Sequence, residues 1–377
     1  MRSSISSSSP DSGPGLRQTA SDRPGVAQPV PVRDIPQRPW ARILLGALVL
    51  LVVATGAWEW YWRAYGAVPS YRDDDALWAR QRRRIDAGEG DATVLVGSSR
   101  TLFDIQLPVW EKLSGRRPIQ LALDGTSPAS FVEDLAADPK FTGRLLIGIA
   151  PDLFFSGFEY QRSALPYYRK ESPSQRVGKA LSMHLLEPWF AFYDPDFALM
   201  TVIRRQPWPE RAGLDRISVR QLEVMDADRN DHMWSKVVTD AAYRQMARNI
   251  WAQDFDGPPE TDAEKAEDQR VLDAQIDRTA AAVAKLRARG VPVVFVRDPS
   301  AGGYLAFENK DFPRATTWDV LLAKAGVPGI HFQDYPELQG YDLPEWSHMT
   351  QESADRYTAA LYNIIAKRVP PTDGSRW

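Results

Sequence analysis

A chain of 377 residues with 44% hydrophobic content is long enough for one sizeable domain carrying a large insertion, or for two smaller domains. Its 46 basic and 49 acidic side chains nearly cancel, to a formal net charge of −3, so the composition gives no general attraction to nucleic acid. Cysteine is absent, which excludes disulfides and thiolate chemistry, and the four histidines (His184, His232, His331, His348) show no H-x-x-x-H spacing that would support a protein-built zinc site.

Residues 1–40 are rich in Ser, Pro, Gly and Arg without periodic apolar positions, and are expected to be a disordered tail because they cannot bury enough surface to offset chain entropy. From Ile43 to Trp58 the chain is uncharged and almost wholly apolar, and it continues into Trp60, Tyr61 and Trp62, aromatics suited to a membrane interface. Residues 41–63 are therefore read as one transmembrane helix, an uncleaved anchor in the cytoplasmic membrane. A buried core helix and a cleaved signal peptide are the other readings of such a run. Arginine flanks both ends (Arg33, Arg38 and Arg42; Arg63, Arg72 and Arg80), so charge bias orients the span poorly, and the following domain is expected on the extracytoplasmic side.

Beyond the anchor, Asp73 to Ala87 has helical character and ends at Gly88 and Gly90. Thr93 opens a first strand, and apolar runs at Ile119 to Leu123, Leu145 to Ala150, Val291 to Val296 and Ile330 to Phe332 give four more. Helical spacing occupies Ile105 to Leu113, Ser130 to Ala137, Ala263 to Arg289, Thr316 to Ala325 and Thr350 to Lys367. Strands alternating with helices predict an α/β fold, a three-layer α/β/α sandwich around a five-stranded parallel sheet, over residues 70–368. The alternation stops at residues 153–262, an aromatic- and proline-rich stretch without a confident strand, read as a mostly helical insertion. Its Trp189, Phe190, Phe192, Tyr193, Trp208 and Trp234 suit stacking on sugar rings or resting on a membrane equally well.

Chemistry concentrates at two distant segments. Thr93-Val94-Leu95-Val96-Gly97-Ser98-Ser99-Arg100 reads as a buried strand breaking into a tight turn, which lifts a hydroxyl to the carboxyl end of the sheet, where open α/β folds keep their ligands. Glu345-Trp346-Ser347-His348 supplies an imidazole to act as base, and a hydroxyl needs one to become a nucleophile. Glu345 ranks first as the acid that orients His348, with Asp342 a second candidate in the same loop. His331, inside the weak fifth strand, reads as a core or strand-end residue. Arg297, after the fourth strand, suits an anionic or polyhydroxylated substrate or, equally, an ion pair with Asp298 or Glu308.

The arrangement resembles the SGNH, or GDSL-like, hydrolase superfamily, and within it the membrane-anchored bacterial members linked to acyl transfer on surface polymers. Gly97-Ser98-Ser99 matches the family's first block, making Ser99 the implied nucleophile. Leu121-Ala122-Leu123-Asp124-Gly125 matches the second, making the Gly125 N–H, with that of Ser99, the implied oxyanion donor. Glu345 and His348 keep the spacing of the last block, D-x-x-H, with glutamate for aspartate. The chain departs from the family in having Ser98 for the acidic residue of the first block and Ile149-Ala150-Pro151-Asp152, without asparagine, at the third. Loss of one oxyanion donor costs about 100- to 1000-fold in turnover, so Arg100, beside the site, is a candidate substitute. The resemblance implies a flavodoxin-like SGNH hydrolase fold and an esterase or O-acyltransferase acting on a cell-envelope or extracellular polysaccharide or a small acylated substrate. It implies no metal or other cofactor, and leaves room for envelope assembly proteins as partners. The opposing reading is a non-catalytic scaffold or carbohydrate-binding component of a polymer assembly system.

Overall fold

The computed structural model describes residues 16–17, 30–31, 38–205, 219–255, 257, 261–369 and 377. Most of the 1–40 tail, and Trp208 of the insertion, lie outside the described residues. The chain divides into two compact units, 1–57 and 58–377. In the first, Leu16–Arg17 and Val30–Pro31 pair antiparallel. Helix α1, Trp40–Tyr65, runs across the division. It is long and apolar enough to cross a membrane, and none of its apolar window is buried, unlike the core helix of a soluble protein. At 1.5 Å per residue its 26 residues reach about 39 Å.

The second unit is built on five parallel strands, β1 Thr93–Val96, β2 Ile119–Gln120, β3 Arg144–Gly148, β4 Val293–Arg297 and β5 Gly329–His331. Their order across the sheet is 2-1-3-4-5. In this doubly wound order the chain reverses direction between β1 and β3, and the crevice at that point is where ligands sit. The registers pair Val94 with Ile119, Val96 with Ile147, Gly148 with Val296 and Arg297 with His331. Side chains alternate across the pleat. Val94, Val96, Leu145, Ile147, Val293 and Phe295 pack on one face against α5 (Ala129–Ala137), α8 (Asp262–Ala288) and α10 (Trp318–Ala325). Leu95, Leu146, Val294, Val296 and Ile330 pack on the other against α4 (Leu107–Ser114) and α11 (Gln351–Arg368). Burial on both faces explains why these strands read as continuous apolar runs.

Several expected elements differ in extent. The Asp73 to Ala87 helix is α2, Asp75–Arg84, capped by the Asp74 carboxylate on Leu77 N–H (2.9 Å) and followed by a wider turn in which Gly88 has φ +113°. The segment around Ile105 is two helices, α3 (Ser99–Asp104) and α4, because Ile105 turns extended and Pro108 starts the second. Helix α9, Gly302–Asp311, goes unread in the sequence because two glycines open it.

The insertion is mostly helical where it is described, with α6 (Pro173–Leu185), α7 (Ala241–Ala252) and shorter turns. It also holds an antiparallel hairpin, Glu223–Met225 with Asp231–Met233, that the sequence did not announce. These strands are three residues each, too short for a period-two pattern to register. Arg229 closes the hairpin turn at φ +66°, held by buried bonds from its guanidinium to Asp73 and to Ala122 O (2.6 Å).

Candidate functional site

Ser99 is the first residue of α3, directly off the carboxyl end of β1. Helix α3 can leave the sheet here because two glycines make room. A Cβ on Gly97 would come within 2.2 Å of Thr101 Oγ1, and one on Gly148 of β3 within 1.7 Å of the same atom. Thr101 Oγ1 in turn donates to Asp298 Oδ2 (3.0 Å), whose other oxygen takes the Tyr357 hydroxyl (2.8 Å). The helix is thus pinned over the ends of β1, β3 and β4.

Ser99 Oγ lies 2.8 Å from His348 Nε2, across 249 positions of chain. His348 Nδ1 lies 2.9 Å from Glu345 Oε1, which also accepts the His348 backbone N–H at 2.5 Å. Burial raises the Glu345 carboxyl, but the His348 imidazole and the N–H donors around it outweigh this and hold it below the usual glutamate range. An ionised carboxylate only accepts, so the imidazole proton sits on Nδ1 and the Nε2 lone pair faces the serine hydroxyl. Ser99 is half-buried, while Glu345 and His348 are 0% and 3% exposed, so the relay opens outward only at its hydroxyl end.

Helix α3 also holds the histidine. Phe103 stacks on the imidazole with ring centres 4.2 Å apart, and Asp104 Oδ1 accepts the Met349 N–H at 2.9 Å. The other acid of the loop, Asp342, is exposed, and its N–H donates to Ser353 Oγ (3.1 Å). Thr350 caps α11, accepting from Ser353 N–H (3.3 Å).

Gly125 lies in a turn at φ +55° beyond β2. Ladder bonds continue past that strand, Leu121 N–H to Leu95 O (2.8 Å) and Leu123 N–H to Gly97 O (3.1 Å), so two residues further on each chain bring Gly125 to the Ser99 end of the sheet. The first helical bond of α3, Leu102 N–H to Ser98 O (3.2 Å), leaves the Ser99 N–H outside the helix ladder.

The two arginines are committed inward. Arg100 is 2% exposed; its Nη1 donates to Glu308 Oε1 (2.6 Å), its Nε to Ser347 Oγ (3.2 Å), and its guanidinium lies 4.7 Å from the Tyr304 ring centre. Arg297 is 4% exposed and donates from Nη2 to Glu308 Oε2 (2.5 Å) and to Ser300 Oγ (3.1 Å). For Arg297 the observed contact is the ion pair with Glu308 that the sequence allowed. Arg100 holds the residue next to His348 from below, as part of the loop's support. At the third block Asp152 turns its carboxylate to the Tyr304 hydroxyl (2.6 Å). His331 ends β5, buried, with Nδ1 accepting the Gln333 N–H (3.3 Å); burial and then the neighbouring Arg297 and Arg314 push it down to about 3, so it stays neutral.

One contact was missed altogether. Trp251, in α7 of the insertion, donates its indole N–H to Glu345 Oε2, the oxygen His348 leaves free. Arg248, one turn earlier, donates to Pro344 O (2.8 Å) and lies over the Trp346 ring, so the helix is clamped on the loop that carries the acid. Only the i, i+3 spacing of Arg248 and Trp251 hinted at a shared face, and nothing in the sequence said what that face meets.

The fold and site define a parallel α/β protein with a serine–histidine–glutamate relay at its switch point. No family model matches the chain, and no curated protein matches it either. Chemically, a relay of this geometry can move a proton from a hydroxyl to an imidazole while a carboxylate steadies the resulting charge.

Proposed function

We propose that the chain is a membrane-anchored, SGNH-like serine enzyme, an esterase or O-acyltransferase acting on ester groups of a cell-envelope or extracellular polysaccharide. The observation that carries the reading is the unbroken set of hydrogen bonds from Ser99 Oγ through His348 to Glu345, with only the hydroxyl end open. Ser99 Oγ attacks the ester carbonyl as its proton passes to His348 Nε2, and Glu345 stabilises the imidazolium. The N–H groups of Ser99 and Gly125 receive the oxyanion. Collapse expels the alcohol, which takes the proton back from Nε2 and leaves an acyl-Ser99 ester. Water then gives hydrolysis, and a sugar hydroxyl gives transfer. Anchoring through α1 favours a polymer held in the envelope over a freely diffusing substrate, and the resemblance suggests a small acyl group such as acetyl.

The test is labelling by an activated-ester probe and turnover of a chromogenic acetyl ester. Ser99→Ala is expected to abolish labelling and lower turnover by about 10⁴-fold or more. Labelling that survives this substitution removes Ser99 from the chemistry, and a wild-type protein that never labels favours the scaffold reading.

A further inference from the structure

The insertion carries a second feature that the relay does not use, an apolar surface beside the last turns of α1. In α6, Val177, Leu181 and Leu185 repeat every fourth residue and are 58%, 55% and 61% exposed. Trp189 follows at 63%, its indole N–H tied to His184 O (3.0 Å) so that the ring stands out from the surface. Leu199 and Met200, at 56% and 58%, extend the apolar surface. The opposite side of α6 is held inside: Lys179 is buried against Glu187 (3.1 Å), and Met183 packs in the core of the insertion. The helix contains Arg176, Lys179 and His184 and no carboxylate.

What lies next to this surface is fixed by bonds. Trp58 follows the apolar run of α1 directly, and its indole N–H donates to Phe197 O (3.1 Å), two residues before Leu199. Glu59 accepts the N–H groups of Ala191 (3.1 Å) and Phe192 (3.0 Å), and Arg63 donates to Trp189 O (2.9 Å). Trp62 packs on Phe197 with ring centres 4.7 Å apart. The loops that carry the apolar surface are therefore riveted to the residues where the chain leaves its apolar span. The two permanent cations of α6 are taken up by the protein, Arg176 on Glu171 (3.1 Å) and Lys179 on Glu187 (3.1 Å), so the exposed face is left aliphatic. A helix with one exposed apolar face beside the end of an apolar span is the pattern that lies in a bilayer interface with that face among the acyl chains. Single exposed apolar residues are ordinary, but an i, i+4, i+8 row joined to further tryptophan, leucine and methionine is not.

We propose that α6 and the 189–200 segment form a second membrane contact, a face of the insertion that lies in the headgroup region of the anchoring bilayer and fixes how the body sits over it. This rests on α1 being a membrane span. A second contact with the bilayer, added to the span, holds the Ser99 opening near the lipid surface, suited to a substrate held in the envelope.

The chain has no cysteine, so single labels are clean. Leu181→Cys, Lys265→Cys at the exposed start of α8, and Leu51→Cys within the span are each labelled with bimane in the full chain. The proteins are reconstituted in vesicles of phosphatidylcholine and phosphatidylglycerol containing lipids with nitroxide at a shallow or a deep acyl position. Leu51 should be quenched by the deep probe, Leu181 by the shallow probe roughly threefold more than Lys265, and Lys265 chiefly by aqueous iodide. Iodide quenching at Leu181 equal to that at Lys265, with Leu51 still quenched by lipid, overturns the surface contact alone. An unquenched Leu51 removes the anchor and this contact with it. Disulfide-linked dimers formed through unlabelled Leu181→Cys in the vesicles would give the face to a second copy of the chain and overturn the lipid assignment.

Discussion

Glu345 has three hydrogen-bond donors on two oxygens, and the third, the indole N–H of Trp251, comes from 94 positions upstream. Trp251 works through the acid rather than on substrate, so it is a positioning residue. Its bond helps keep the carboxyl ionised against the cost of burial. Trp251→Phe retains most of the packing and removes the donor, leaving Oε2 buried and unpaired, at about 1–3 kcal/mol. The expected result is a fall of about tenfold in kcat with little change in KM. The acid limb of the pH–activity profile should also move upward, since a less well held carboxylate takes a proton at higher pH. A profile that keeps its acid limb while activity falls would mean that Trp251 acts by packing alone.

At the scale of elements, the 343–349 loop is held in an uncommon backbone state. Trp346, between the two relay members, has φ +79°, a left-handed conformation that bulky side chains rarely adopt. The strain is sustained by contacts. Trp346 O accepts the Ala301 N–H (2.8 Å), Arg248 lies over the indole, and the ring packs where α9 begins with two glycines. A Cβ at Gly302 would sit 2.5 Å from Trp346 Nε1, and Gly302 itself has φ +51°. Gly302→Ala must therefore push the indole away and strain its own backbone, at about 1–3 kcal/mol. Its expected signature is a destabilised protein in urea with slower turnover even under conditions where it is fully folded, because His348 and Glu345 ride on the displaced loop. Unchanged turnover in the folded variant would show that the loop keeps its shape without the Trp346 contact.

For the whole molecule, one joint between the insertion and the elements around the sheet is built from acids. Asp73 before α2, Asp124 after β2, and Glu223 and Asp231 of the hairpin face one another, and Arg229, itself buried, pairs with Asp73 and draws on Asp124. Burial pushes Asp73 up to about 6 despite its ion pair with Arg229. Burial first, then repulsion from neighbouring acids, raises Glu223 and Asp231 well above the ordinary carboxyl range. A carboxyl raised in the folded state holds its proton there while the unfolded chain has already lost it. Stability therefore falls as pH rises from the unfolded value, about 3.9 for aspartate, through the folded one, and the penalty persists above it. Asp231→Asn removes one contributor. It should raise Tm by about 2–4 °C near pH 8 and have almost no effect near pH 4. An increment equal at both values would assign the effect to packing instead of charge.

The sequence by itself determined the parallel sheet, because strands buried on both faces must be apolar throughout, and it determined the apolar span, because a run without charges suits only an apolar surrounding. It also named Ser99, His348 and Glu345, since a serine just past a strand and a histidine three residues after an acid are local patterns. What only the tertiary structure decided are the contacts between segments without a local signature. Arg100 and Arg297 turn away to share Glu308, Trp251 comes from the insertion to hold the acid, and the turn of the short hairpin is tied through Arg229 to Asp73 and Ala122. Periodicity reports which face of an element avoids water, and the partner on the other side of that face is fixed only when the elements pack.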